Sequence, residues 1–203
     1  MIAGAIAFAT RLVVGGYARG LEYSHTSGPR IYFANHSSHL DTIILWSALP
    51  GELRARTHPV AARDYWDSNA LRRLIAYRGL KAVLIDRNAS TPKTINPLAE
   101  ACRLLAAGES LIIFPEGTRS NERLPMPFKS GIFHLAQSCP EAELVPVYLV
   151  NPRRAYPKGA ILPAPITCTA KFGTPMALGD DELKAAFLAR THEAVCALAE
   201  GEI

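Results

Sequence analysis

The 203 residues predict a single α/β domain: a mixed, largely parallel central sheet flanked by helices, with an apolar helix at the N-terminus. Three observations lead there. Short apolar runs rich in β-formers alternate with segments of helical periodicity. Several of those runs are apolar at consecutive positions, as strands buried on both faces are. And a chain of this length, 49% apolar and 20% charged, buries one good core and is too hydrophobic for disorder.

The first element is the stretch MIAGAIAFATRLVVGGYA, Met1 to Ala18, almost wholly apolar but interrupted by Arg11 and weakened by Gly4, Gly15 and Gly16. Eighteen helical residues span about 27 Å, barely the hydrocarbon thickness, with a charge at mid-depth. The stretch also lacks the basic start of a signal peptide. Two readings stay open for residues 1–20: a helix in the membrane interface with Arg11 reaching headgroups, or one packed on the protein's own core. Residues 21–203 form the domain proper.

Strands are expected at Arg30–Ala34, Ala82–Asp86, Ser110–Phe114, Glu143–Val150 and Ile166–Phe172. Pro146 argues that the fourth lies at an edge or carries a bulge. Between them, NPLAEACRLLAAG has Asn96 as N-cap, Pro97 at the first helical position and Gly108 as stop. DSNALRRLIAY reads as a helix from Asp67 or Ser68. The segment from Gly179 to Gly201 reads as a C-terminal helix with Leu183, Phe187, Ala194 and Leu198 near one stripe. Cys102, Cys139, Cys168 and Cys196 are widely spread without a CxxC, the pattern of reduced core residues in a cytosolic protein. A net charge of +4 favours anionic partners such as phosphorylated metabolites or acidic lipid surfaces. The basic residues are scattered and no aromatic platform accompanies them, so nucleic acid is not an expected partner.

Three strands end in polar residues of catalytic or anion-binding type. The first runs into FANHSSHLD, Phe33 to Asp41, where His36 and Asp41 stand five residues apart. On a helix that spacing puts side chains roughly 140° apart, so if they meet the backbone must turn between them. Ser37 and Ser38 favour such a turn. A second strand runs into Pro115-Glu116-Gly117-Thr118-Arg119, where Gly117 permits close backbone approach and Arg119 offers a forked donor for phosphate or carboxylate. A third ends in Asp86 and Arg87. Ligand sites in α/β sheets sit at the carboxyl ends of strands, so the three suggest one shared mouth. His39 reads as a surface or capping residue, and His25, His58, His134 and His192 as structural. The Tyr65–Trp66 pair reads as core or a lipid-facing edge.

NHxxxxD (NHSSHLD), FPEGTRS some eighty residues later, IDR between them, VPV beyond and PFKSG (Pro127 to Gly131) together resemble the glycerolipid acyltransferase family, the 1-acylglycerol-3-phosphate (lysophosphatidate) acyltransferases. The resemblance runs from about Gly28 to Phe172 with the blocks in the family's order. It implies acyl transfer from an acyl thioester, acyl-CoA or acyl-carrier protein, to a glycerol hydroxyl of 1-acylglycerol-3-phosphate, giving phosphatidate. It makes His36 the general base and Asp41 the group that orients and charges against the imidazole. Glu116, Gly117, Thr118 and Arg119 would bind the glycerol phosphate, with Arg119 the main contact and Arg87 a second candidate. Asn35 would fix the His36 turn or help polarise the carbonyl, and backbone N–H groups of the corner after His36 would serve the oxyanion.

The thioester carries the activation, so no bound metal or redox cofactor is implied, and no GxSxG suggests an acyl-enzyme. The expected partners are a lysophospholipid acceptor, an acyl thioester donor with acyl-carrier protein among its forms, and the membrane surface. The expected location is peripheral or monotopic on the cytoplasmic face of the inner or plasma membrane. Two alternatives stand beside this reading: the same chemistry on another lyso-lipid or aminolipid, and a catalytically silent lipid-binding module. One departure bears on local geometry, since the family commonly has Gly where Lys81 precedes the IDR block.

Overall fold

The computed structural model describes residues 2–21, 28–85, 97–157, 160 and 162–200. Within them a seven-stranded sheet has the order β1-β7-β6-β2-β5-β3-β4. Its strands are β1 (Gly15–Arg19), β2 (Arg30–Ala34), β3 (Thr57–Ala62), β4 (Val83–Ile85), β5 (Ser110–Ile113), β6 (Glu143–Val150) and β7 (Cys168–Phe172). Neighbours are parallel except β6 and β7. The carboxyl ends of β6, β2, β5, β3 and β4 therefore face one way, and the site is built there.

Period-2 alternation on the central strands sorts the core into two layers. Tyr32 and Ala34 of β2 and Ile112 of β5 face α1 (Ile2–Val14), α2 (Asp41–Ala48) and the turns that follow β3. Ile31 and Phe33 of β2 and Leu111 and Ile113 of β5 face α6 (Pro97–Ala106), α7 (Gly131–Ser138) and α9 (Lys184–Ala197). The Ile, Leu and Phe side chains among them contribute about 1.5–3 kcal/mol each on burial, which makes β2 and β5 a firm frame for a site. Short helices α3 (Gly51–Ala55), α4 (Arg63–Trp66), α5 (Ala70–Arg73) and α8 (Pro152–Ala155) complete the connections.

Several expectations are corrected. The N-terminal helix stops at Val14, because Gly15 and Gly16 take φ of +78° and +66°, and residues 15–19 become the edge strand β1. Arg11 is exposed, and its guanidinium donates to the carbonyls of Ser47 (2.7 Å) and Leu49 (3.4 Å) at the C-terminal end of α2. Ala7 and Val14 pack on the core while Phe8 and Leu12 stay exposed at 70% and 75%. No helix among the described residues is long and apolar enough to cross a membrane.

Strand β6 lies inside the sheet between β7 and β2, not at an edge. Pro146 is tolerated because the regular β7 ladder ends at the Val147–Phe172 pair, one residue short of it, and resumes as the single bridge Leu144–Met176 with one extra residue on the second strand. The prolyl carbonyl still accepts from Gly173 N at 2.9 Å. The C-terminal helix begins at Lys184; Leu183 precedes it and is 77% exposed, and the buried stripe is Phe187, Thr191 and Val195. The helix after Trp66 is capped by Asn69, whose side chain accepts from Arg72 N, and α5 runs into a π-helix over Leu74–Leu80. All four cysteines are free. Asn96, Asp86, Arg87 and His25 lie outside the described residues.

Candidate active site

The chain leaves β2 through Asn35, whose side chain continues the sheet by imitating backbone. Its Oδ1 accepts from Leu149 N (2.7 Å) and its Nδ2 donates to Leu149 O (3.3 Å) on β6. Both amide atoms take part in fixing the strand end. The backbone then turns through Ser37 and Ser38 and enters α2 at Asp41. Asp41 is fully buried, and its Oδ2 accepts from Ser37 N (2.6 Å), Ser38 N (2.8 Å) and the His36 ring at Nδ1 (2.8 Å). One carboxylate oxygen thus organises the whole corner and sets the imidazole tautomer, with Nδ1 as donor. Nε2 is left as the ring nitrogen available at the cavity wall. Of the corner's backbone N–H groups, those of Ser37 and Ser38 serve Asp41 and that of His36 serves Glu116.

The strand-end loop after β5 is stitched to this corner. Glu116 is 2% exposed; its Oε1 accepts from His36 N (2.6 Å) and its Oε2 from Met126 N (2.9 Å). Ser120 N donates to His36 O (2.8 Å). Burial pushes the Glu116 carboxyl above its ordinary range, against the two N–H groups that favour its anion. Its place is therefore structural, clamping the His36 turn to the loop, and it does not line the cavity. Thr118 is exposed and also off the cavity wall, whereas Gly117 and Arg119 are on it. Phe114 stacks on the His36 ring at 4.3 Å and 22°, holding its plane.

Gly117 has φ of +68°, a conformation that favours glycine, and the Lys129 side chain crosses the turn 2.7 Å from where a Cβ would lie. Lys129 N in turn donates to Pro115 O at 2.9 Å.

These pieces rim a cavity of about 720 Å³. It opens because β3 changes partner: Thr57–Pro59 pair with β5, but Val60–Ala62 pair with β4, so β3 and β5 part at their carboxyl ends. The apolar wall includes Val60, Ile113, Ala101 and Leu135, and the polar rim includes His36, Arg72, Arg119 and Lys129. Four residues not expected in the site also line it: His39, His134, Tyr65 and Trp66. His39 stacks on Tyr65 at 4.1 Å, and the guanidinium of Arg72 lies 4.2 Å from the Tyr65 ring centre. Their local sequence does not mark them, because they come from separate elements: His39 from the corner after β2, Tyr65 and Trp66 from α4 after β3, and His134 from α7. His58 and His192 are structural as expected: His58 bridges Lys81 O and Glu109, and His192 meets Pro125 O.

A family model described as Acyltransferase matches residues 17–150. The chain is 33% identical to a 1-acyl-sn-glycerol-3-phosphate acyltransferase of Limnanthes alba over 77% of its own length and 53% of the relative's. It is 31% identical to the human 1-acyl-sn-glycerol-3-phosphate acyltransferase alpha over 69% of its length and 47% of the relative's. A lyso-ornithine lipid O-acyltransferase of Brucella abortus is 26% identical over 56% of the chain and 39% of that protein. The chain thus spans about half the length of these curated relatives. The crystal structure of a 1-acyl-sn-glycerophosphate (LPA) acyltransferase from Thermotoga maritima shares the fold, with a TM-score of 0.76 at 20% identity over 98% of this chain and 79% of that one. With the family match covering strands β2 to β6, the His36 corner and the Glu116–Arg119 loop, the chain belongs to the acyltransferase family.

Proposed function

We propose that this chain is an O-acyltransferase that moves a fatty acyl group from an acyl thioester, acyl-CoA or acyl-carrier protein, to the free hydroxyl of 1-acylglycerol-3-phosphate, giving phosphatidate. The observation that carries the proposal is the 2.8 Å His36 Nδ1–Asp41 Oδ2 pair at the wall of a largely apolar cavity rimmed by cations. The names of the Limnanthes and human relatives support the acceptor.

In this reading Asp41 keeps the proton on Nδ1, so Nε2 presents a lone pair. It removes the acceptor hydroxyl's proton as that oxygen bonds to the thioester carbonyl carbon. The developing imidazolium is stabilised by the buried Asp41 carboxylate. When the tetrahedral intermediate collapses, the carbon–sulfur bond breaks and the departing thiolate takes the proton back from Nε2. Arg119 binds the acceptor phosphate, and the apolar wall takes acyl chain. Arg87 remains a second phosphate candidate by sequence. The reading also places the protein on a membrane surface, supported by exposed Phe8 and Leu12 on α1 and exposed Leu71, Leu74 and Tyr77 after β3.

The test is acyl transfer from oleoyl-CoA to lysophosphatidate in liposomes, following free thiol and lipid product together. Wild type makes phosphatidate, and His36→Ala, with an unchanged melting temperature, loses about 10²–10⁴-fold in rate. Undiminished turnover in a folded His36→Ala protein overturns the assignment. Thiol release without phosphatidate redirects it to another acceptor or to hydrolysis.

A further inference from the structure

We propose that Arg72 and Arg119 together form the acceptor's phosphate site, with the Tyr65–His39 stack as the rigid wall beside them, which makes Arg72 a specificity-determining residue of this chain. The inference rests on the acceptor reading above and names a residue that belongs to none of the sequence motifs.

The geometry is built from the cavity wall. Tyr65 is fixed edge-on by buried Trp66, at 5.4 Å and 90°. One face of its ring carries His39 in near-parallel stacking, 4.1 Å and 10°. The Arg72 guanidinium also lies against this ring, 4.2 Å from its centre, and donates from Nη1 to Ser68 Oγ at 2.8 Å. Cation–π contact and that hydrogen bond hold the fork in place before any ligand arrives. Arg119 approaches the same stack from the loop after β5, and His39, Tyr65, Arg72 and Arg119 all line the cavity.

Charge gives the site its sign. Among the described residues, neither Arg72 nor Arg119 has a carboxylate partner, and Glu116, the acid nearest in sequence to Arg119, is consumed by backbone N–H groups. Among the described residues Asp64 is the one acid on the cavity wall, and it is exposed. His39 adds no charge: burial, then Arg119 and Arg72, then His36, pull it down to about 4. Two guanidinium groups that both act on one neutral ring repel each other until an anion lies between them. A phosphate monoester carries about −1.5 to −2 charge near pH 7 and three acceptor oxygens, enough for two forks. His39 is three residues from His36, and in the proposed acceptor the phosphate and the reacting hydroxyl sit on adjacent carbons. Phosphate on this wall therefore keeps the hydroxyl beside the base.

The experiment compares wild type, Arg72→Met and Arg72→Lys in full kinetics, varying lysophosphatidate and oleoyl-CoA separately, with glycerol 3-phosphate as inhibitor. Arg72→Met raises the acceptor KM roughly 10- to 100-fold while kcat and the donor KM stay within about threefold. Arg72→Lys recovers part of the loss, and glycerol 3-phosphate competes with the acceptor in wild type but not in Arg72→Met. An unchanged acceptor KM in Arg72→Met overturns the proposal, and so does a rise confined to the donor KM, which assigns Arg72 to the donor's phosphates. Thermal melts with glycerol 3-phosphate separate this from failure of the acceptor reading. If wild type makes no phosphatidate, yet glycerol 3-phosphate raises its Tm and fails to raise that of Arg72→Met or Arg119→Met, the phosphate site stands and the reaction assigned to it falls. No Tm rise in wild type removes the site.

Discussion

Asp41 shows how much one atom can be asked to do. Its Oδ2 holds the His36 ring and two backbone N–H groups, while Oδ1 is buried without a partner among the described residues. Asparagine can place its carbonyl oxygen where Oδ2 sits and keep the corner hydrogen-bonded. Its NH₂ then falls in the Oδ1 position, buried with nothing to accept from it, and the charge that supports an imidazolium is gone. Asp41→Asn therefore keeps the fold at a cost of about 1–3 kcal/mol. It loses about 10²–10⁴-fold in kcat/KM, checked by a thermal melt beside steady-state rates. A variant with wild-type kcat/KM would reduce Asp41 to a turn-former. The His36–Asp41 meeting was legible in the sequence because it is local: five residues, two serines and a strand end suffice to predict the turn. The use of Glu116 was not, since a carboxylate after a strand reads equally as a ligand group or as an acceptor for backbone N–H, and only the eighty-residue closure to His36 N decides.

At the level of elements, what the sequence announced were the five strands with concentrated apolar runs; what it hid were β1 and β3. GGYAR and THPVAA lack the apolar density of a buried strand, because β1 is an edge that pairs only with β7 and β3 changes neighbours midway. Between β3 and β4 the π-helix ends at Lys81, which adopts φ 50° and ψ 45°, the left-handed region where the family commonly has glycine. Lysine bears there the steric cost of Cβ, about 1–2 kcal/mol, of which glycine's extra freedom in the unfolded chain returns roughly half. Lys81→Gly is thus expected to stabilise the protein by about 0.5–1 kcal/mol, read as a higher urea midpoint at unchanged slope. A lower midpoint would mean that Lys81 makes contacts worth more than its backbone strain.

The whole molecule is two cores on one sheet, with a cleft where β3 and β5 part, and the cleft's cationic rim leaves its mark on global stability. His39 titrates near 6.5 in an unfolded chain but near 4 in place, where burial disfavours its charge and Arg119, Arg72 and His36 all oppose it. The folded state then binds fewer protons than the unfolded one between those values. By linkage this contribution is fully present above pH 6.5 and is lost as pH falls towards 4. For one proton the slope is at most about 1.4 kcal/mol per pH unit, and less here because the ring is partly exposed. His39→Gln removes the titration but keeps a planar group against Tyr65, so its Tm falls less steeply than wild type over this window. The gap between the two melting curves should narrow or reverse from pH 6.5 down to 4, while above 7 it stays constant. Curves that run parallel throughout would show that His39 carries its proton in the fold, and that the rim is not the concentrated positive site its two arginines describe. Saturating glycerol 3-phosphate supplies the missing anion, raises the proton affinity of His39, and flattens the wild-type curve towards that of the variant.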